Sequence, residues 1–253
     1  MRSQDIDHGQ QFDFGKTSRE YAKFRDIYPG ELYHKLYSMG VGSRGSRWLD
    51  LGTGTGQIPR GLARHGAEIL AVDASENQIE QAIRLSRNFP NIHYRVCRAE
   101  DVEQPAHSLD VITACQCFWY FDPRVVVPKI KTMLRHGGLF LKIYMDYLIE
   151  DPVASRSNAL VKQLNPNWNS GAPAIQDLNT HYFENPHMEN LIFDLPFTRE
   201  SWHGRMKTCR GVLASMDEET FARFEQRHLE FLSGLPEQFT VRHKVFLTYY
   251  FMK

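Results

Sequence analysis

The stretch Trp48-Leu49-Asp50-Leu51-Gly52-Thr53-Gly54-Thr55-Gly56 reads as a buried strand that ends in an acid and runs into a glycine-rich turn. A helix is expected beyond it, with Pro59 near its first turn and Gly66 at its C-terminal stop. Glycine lets the backbone bend tightly and come close to a ligand, because no Cβ intervenes. A small molecule is therefore expected across this turn. The glycines fall at 52, 54 and 56, a G-x-G-x-G pattern. A dinucleotide fingerprint wants G-x-G-x-x-G, with the third glycine inside the helix and a pyrophosphate on the helix N-terminus. Asp50, beside the turn, suits an amino-bearing ligand better than a doubly anionic phosphate. A second apolar strand, Ala67 to Val72, ends in Asp73, 17 residues after Gly56. A carboxylate at such a strand tip can accept two bonds from ribose hydroxyls.

Taken together, D-L-G-T-G-T-G and V-D-A-S resemble the class I S-adenosylmethionine-dependent methyltransferases, within them the methyltransferase type 11 group. Arg98-Ala99-Glu100-Asp101, after a third strand (Ile92 to Cys97), is similar to the family's adenine-recognition segment; many relatives carry Asp before the Ala where this chain has Arg98, so Glu100 is assigned to the exocyclic amine. Ser108 to Gln116 and the following Cys117-Phe118-Trp119-Tyr120-Phe121-Asp122 resemble the fourth strand and its loop, with Trp119 where the group usually carries His. Leu134-Arg135-His136-Gly137-Gly138 resembles L-R-P-G-G before a fifth strand, Leu139 to Tyr144, and Tyr21-Ala22-Lys23-Phe24-Arg25 with Tyr28-Pro29 resembles a helix folded over the cofactor. These motifs cover roughly residues 17–145. The resemblance implies S-adenosyl-L-methionine as cofactor, held by Tyr21, Arg25, Asp50, Gly52, Thr53, Gly54, Asp73, Ala74, Ala99, Glu100 and Gln116. In it Arg25 faces the methionine carboxylate, Tyr21 covers the sulfonium, and the backbone around Gln116 receives the amino group. The competing readings are a surface charge for Arg25 and plain packing for Tyr21.

Strands alternating with helices predict an α/β, doubly wound, Rossmann-like sheet, seven-stranded and mostly parallel, with helices on both faces. The chain reads as a single methyltransferase domain. Residues 1–45 form an N-terminal helical cover with helices over 17–26 and 30–40, residues 46–146 the cofactor-binding core, residues 147–188 a cap insertion after the fifth strand, and residues 189–253 the rest of the sheet and helices. Ser75 with Gln78 predicts a capping box for a helix reaching about Asn88, and Ser215 with Glu218 another for a helix ending at Ser233. Val153 to Leu164 and Thr198 to Lys207 read as helices, Leu191 to Leu195 as a sixth strand, and Phe239 to Met252 as a last strand, antiparallel by resemblance.

Thirty Lys and Arg balance thirty Asp and Glu, which argues against a dominant nucleic-acid or anionic-membrane surface. No apolar run reaches transmembrane length and the polar start Met1-Arg2-Ser3-Gln4-Asp5 does not read as a signal peptide, so a cytoplasmic monomer or homodimer acting on a small-molecule substrate is expected. Cys97, Cys115, Cys117 and Cys209 do not form a disulfide framework, and a zinc site at Cys115 and Cys117 needs two more ligands, so no metal is expected. Asn165-Pro166-Asn167-Trp168 resembles the N-P-P-aromatic loop of amino-group DNA methyltransferases, but it does not follow the fourth strand, and no basic stripe accompanies it.

Methyl transfer is an in-line displacement at a sulfonium carbon, and a general base is needed only where the nucleophile keeps its proton at neutral pH. Trp119, Tyr120, Tyr144, Trp202, His203 and Arg210 are the candidate wall of the substrate pocket. His203 is the candidate base or donor, against the plainer reading of a satisfied structural histidine. Arg199, Arg205 and Arg210 share no helical stripe, and Arg210 beside Gly211 is the candidate for a substrate carboxylate. Transfer of a methyl group to a small-molecule acceptor is the expected activity. The alternative is a non-catalytic S-adenosylmethionine-binding protein of the same fold.

Overall fold

The computed structural model describes residues 6–253, so the polar start at 1–5 lies outside the described residues. Five parallel strands form the heart of the sheet: β1 (Arg47–Leu51), β2 (Glu68–Asp73), β3 (Ile92–Val96), β4 (Leu109–Cys115) and β5 (Leu134–Tyr147). β6 (His187–Thr198) and β7 (Gln238–Phe251) complete seven strands in the order β3-β2-β1-β4-β5-β7-β6. β7 runs antiparallel to both neighbours, so the sheet is mixed. Strand order reverses between β1 and β4, which opens a crevice at the carboxyl ends of the parallel strands.

Period-two alternation supplies two cores from one set of strands. Trp48, Val111, Leu139 and Leu141 face one side, against Leu32 and Leu36 of α2 (Gly30–Ser38) and Leu62 of α3 (Gln57–Leu62). Leu49, Leu51, Ile112 and Phe140 face the other, against Val126 and Ile130 of α5 (Pro123–Met133). α1 (Ser18–Phe24) and α4 (Glu76–Leu85) precede and follow the first two strands.

Local signals act largely as expected at this end of the chain. Gly66 closes the turn after α3 in the left-handed region, and the Ser75 hydroxyl caps α4 by accepting from the Gln78 N–H. The second half of that capping box is absent. The Gln78 side chain instead donates to Phe14 O, anchoring the N-terminal segment.

Boundaries differ where tertiary pairing outweighs local pattern. β6 runs over 187–198 rather than 191–195, because ladder bonds to β7 continue to both ends. β5 begins at Leu134, so the segment expected to close α5 is already strand. The helix expected from Ser215 starts at Glu218 as α9 (Glu218–Ser233), because Asp217 rather than Ser215 accepts from the Thr220 N–H.

The segment after β5 contains α6 (Pro152–Leu164) and a second helix not foreseen, α7 (Ala172–Leu178). Asp151 caps α6 with one carboxylate oxygen and accepts the Arg242 N–H with the other. Asn165 of the N-P-N-W run donates to Gly211 O and Ser215 Oγ, which ties the end of α6 to the segment that precedes α9. α8 (Arg199–Lys207) then starts with a capping box made by Thr198 and Ser201.

Candidate active site

The ends of β1, β2, β3 and β4 meet around a cavity of about 220 Å³. Gly52, Gly54, Asp73, Ala74, Ala99, Glu100 and Gln116 all stand on its wall, joined by Tyr21 from α1. Each of these residues is placed by the strand that delivers it. The glycine turn closes β1, Asp73 ends β2, Ala99 and Glu100 follow β3, and Gln116 follows β4.

The glycines have different reasons to be glycine. All three have positive φ. A Cβ on Gly52 would stand 2.7 Å from Cys117 Sγ, so packing alone excludes it. At Gly54 a Cβ would meet nothing within 4 Å, although the residue lines the cavity. Gly54 is thus where a ligand can lie directly on the backbone. Asp73 orders this turn: its Oδ2 accepts the Gly54 N–H at 2.9 Å and its Oδ1 accepts the Ser75 N–H at 2.9 Å. Burial pushes this carboxyl above its ordinary value, against the pull of those two backbone donors.

Asp50 and Thr53 do not reach the cavity wall. Asp50 is 1% exposed and pairs in register with Thr113, whose hydroxyl donates to it while accepting from the Trp48 indole N–H at 2.7 Å. Burial raises its carboxyl to about 6, opposed by the Thr113 hydroxyl. Asp50 therefore supports the turn from behind. The Thr53 N–H donates to Val72 O and ties the turn to β2.

Gln116 is a non-glycine residue with φ 60°, held there by its N–H to Ile143 O and by its side-chain amide to Met145 O. Such strain persists only where the surroundings over-determine it. The turn sets Gln116 on the boundary between the first cavity and a second one of about 100 Å³; Phe14, Tyr21 and Tyr120 share that boundary. Trp119, Tyr144, Arg25 and Arg210 stand on the second wall, with Trp168, Ser170 and Gly171 from the segment after β5.

Two expected substrate residues are elsewhere. Trp202 is fully buried and donates to Ser157 Oγ at 2.9 Å. His203 Nδ1 shares a 2.8 Å hydrogen bond with His228 Nδ1, and its ring stacks on Phe224. Burial holds both imidazoles below their usual value, His228 at about 3. The helix phase decides this outcome: Trp202 and His203 face α6, α9 and the sheet, while Arg205, one turn on, reaches the cavity. His203 thus lines neither cavity, and its Nε2 stands 3.6 Å from Glu225 Oε1.

Arg210 does line the wall, but its guanidinium is committed. It grips both oxygens of Asp7 at 2.6 and 2.9 Å and donates to Tyr120 Oη, Asn169 Oδ1 and Ser170 O. It ties the N-terminal segment, the aromatic loop and the segment after β5 together. Arg25 donates to Thr208 Oγ1 at 2.8 Å and stands over the Tyr21 ring.

Residues not foreseen include Phe14, Asp146 and Arg205. Asp146 lies two residues beyond Tyr144 on β5, so strand alternation places both on one face, a signal the sequence carries. No comparable signal marks Phe14. Cys115 and Cys117 also line the first cavity; burial pushes the Cys115 thiol up to about 12 and raises Cys117 well above its ordinary value, which keeps both protonated at neutral pH. Among the described residues no group of three or more His, Cys, Asp or Glu is placed to hold a metal, and no helix is long and apolar enough to cross a membrane.

A glycine turn, a strand-tip carboxylate and a seven-stranded sheet of this order give an α/β protein with two adjoining cavities at its strand ends. Residues 49–141 match the family described as a methyltransferase domain, in keeping with the class I S-adenosylmethionine-dependent methyltransferase that the sequence motifs resemble. A Dictyostelium discoideum protein named as a methyltransferase is 32% identical over 125 residues, 49% of this chain and 46% of that protein. A ubiquinone biosynthesis O-methyltransferase of Mesorhizobium japonicum is 35% identical over 97 residues, 38% of this chain and 39% of that enzyme. The chain thus spans about half the length, or less, of the curated relatives it matches. In fold it is similar to Haemonchus contortus phosphoethanolamine N-methyltransferase 2, solved with phosphomonomethylethanolamine and S-adenosylhomocysteine, at a TM-score of 0.52 and 18% identity over 98% of this chain and 58% of that one.

Proposed function

We propose that this protein transfers a methyl group from S-adenosyl-L-methionine to a small-molecule acceptor held in the second cavity. The observation that carries the reading is the open backbone at Gly54 beside the Asp73 carboxylate, in a cavity that meets a second one at Tyr21, Gln116 and Tyr120.

The residues present fit the cofactor. Each Asp73 oxygen accepts one backbone N–H and retains a lone pair for a ribose hydroxyl. Ala99 and Glu100 stand at the adenine end; Glu100 Oε1 accepts the Asp122 N–H at 2.9 Å, which fixes the loop after β4 against the loop after β3. Tyr21 and Gln116 stand at the boundary of the two cavities, and Arg25 beside them is suited to the methionine carboxylate. When bound, the cofactor supplies a methyl on a positively charged sulfur, which leaves as a neutral thioether.

The chain itself orients and dehydrates. Trp119, Tyr120 and Tyr144 form an aromatic wall, with the Trp119 and Tyr144 rings edge to face at 5.4 Å. Such a wall excludes water and aligns an acceptor without chemistry of its own. The segment after β5 serves as a cap, since Trp168, Ser170 and Gly171 complete that wall. The Mesorhizobium relative, named for ubiquinone biosynthesis, and the phosphomonomethylethanolamine of the Haemonchus structure support a small-molecule acceptor.

Calorimetry with S-adenosylhomocysteine and NAD tests the cofactor, and transfer of label from methyl-labelled S-adenosylmethionine into a metabolite extract tests turnover. The adenosyl ligand is expected to bind and NAD not to. Tighter binding of NAD would overturn the reading.

A further inference from the structure

We infer, resting on that reading of the two cavities, that the acceptor is a carboxylic acid, held as its carboxylate by Arg205 and Trp119. Arg205 is 3% exposed. Its Nη1 donates to Cys209 Sγ at 3.1 Å and its Nη2 to Asp146 Oδ1 at 3.2 Å, while its Nε is buried with no partner among the described residues. The Trp119 indole N–H is likewise buried and unpartnered. Both residues stand on the wall of the second cavity. Buried donors are nearly always paired in folded proteins, so two unpartnered ones on residues of a single cavity wall point to an acceptor group supplied by a ligand.

The wall does not supply that acceptor itself. Asp146, the acid beside Arg205, already accepts from Arg205, from Tyr144 Oη at 2.9 Å and from the Tyr147 N–H at 2.9 Å. A carboxylate brings two planar oxygens that match a guanidinium edge. Arg210, singled out from the sequence for this role, has its donors engaged, so the anchor moves to Arg205.

The test uses the full chain saturated with S-adenosylhomocysteine. Straight-chain carboxylic acids of two to eight carbons and benzoate are compared with their primary amides by ligand-observed NMR and calorimetry, with phenyl phosphate alongside. At least one acid is expected to bind at least tenfold more tightly than its amide. Trp119→Phe keeps the ring and removes only the N–H; Arg205→Lys keeps the charge and removes the planar fork. Each is expected to weaken that acid at least tenfold while S-adenosylhomocysteine affinity stays within threefold. Should Arg205→Lys fail to fold, Trp119→Phe carries the test alone. Binding of S-adenosylhomocysteine with no acid preferred over its amide, with phenyl phosphate preferred, or with the acid unaffected by Trp119→Phe overturns this inference and leaves the cofactor reading intact. Failure of wild-type protein to bind S-adenosylhomocysteine at all overturns the cofactor reading instead.

Discussion

Replacing Asp73 by Asn changes one atom at the point where the glycine turn and the proposed ribose site meet. In the wild type each carboxylate oxygen takes one backbone N–H, from Gly54 and from Ser75, both at 2.9 Å. Each oxygen keeps one further acceptor site for a ribose hydroxyl. The Asn amide keeps one such oxygen, now neutral, and turns an NH₂ group against one of the two backbone donors. Hydrogen bonds to a charged acceptor contribute about 1.5–3 kcal/mol and neutral ones about 0.5–1.5 kcal/mol. Losing one charged bond to the ribose and weakening the other sums to about 3 kcal/mol, on the order of a hundredfold in Kd. The turn itself loses less, because burial already disfavours the Asp73 charge and so discounts what its two backbone bonds contribute. A loss of about 1–2 kcal/mol of folding stability is expected. Calorimetry with S-adenosylhomocysteine reads the affinity, and urea denaturation reads the stability. A folded Asp73→Asn protein whose affinity stays within threefold of wild type would refute the reasoning and place the ribose elsewhere.

Two further outcomes follow from buried charge. The Asp50 carboxyl, raised from 3.8 to about 6, binds more protons in the folded than in the unfolded chain between those values, so its contribution lowers stability as pH rises through that window and is level above it. Asp50→Asn removes this penalty of about 3 kcal/mol, so the variant's stability relative to wild type is expected to rise from pH 4 to 6.5 in urea titrations; parallel curves would sink the assignment. Lys142 Nζ donates to Asp177 O at 2.9 Å and Oδ2 at 3.1 Å beneath α7, with both side chains buried. Lys142→Met leaves that buried carboxylate without its cation and is expected to cost about 3–5 kcal/mol, whereas Lys142→Met with Asp177→Asn recovers most of it; a double variant no more stable than the single one would contradict this account.

The cofactor half of the site was legible because its residues sit at strand ends. Where a parallel strand terminates, the next residues fall on one rim of the sheet whatever their side chains do, so Gly54, Asp73, Glu100 and Gln116 were placed together by counting strands. Asp50 shows the limit of that rule. As the fourth residue of a five-residue strand it lies inside the ladder opposite Thr113, where its neighbours rather than the rim receive its carboxylate. Two positions along the chain separate this internal support from Gly52 on the cavity wall.

The acceptor half depends on a different kind of information. Its wall draws on Phe14, on the loop after β4, on the tip of β5, on the segment after α6 and on one face of α8. Which face of α8 points inward is set by packing against α1 and α9, and pattern gave no warning, because Trp202, His203, Arg205 and Met206 are all buried on different sides of one helix. Bulk and aromaticity favoured Trp202 and His203, yet Trp202 donates to Ser157, His203 pairs with His228, and neither lines a cavity. Arg205 is the reverse case. A guanidinium buried with an unpartnered Nε is costly unless something completes it, so unspent hydrogen-bonding capacity on a residue of the cavity wall, rather than residue type alone, marks the residue poised for an acceptor.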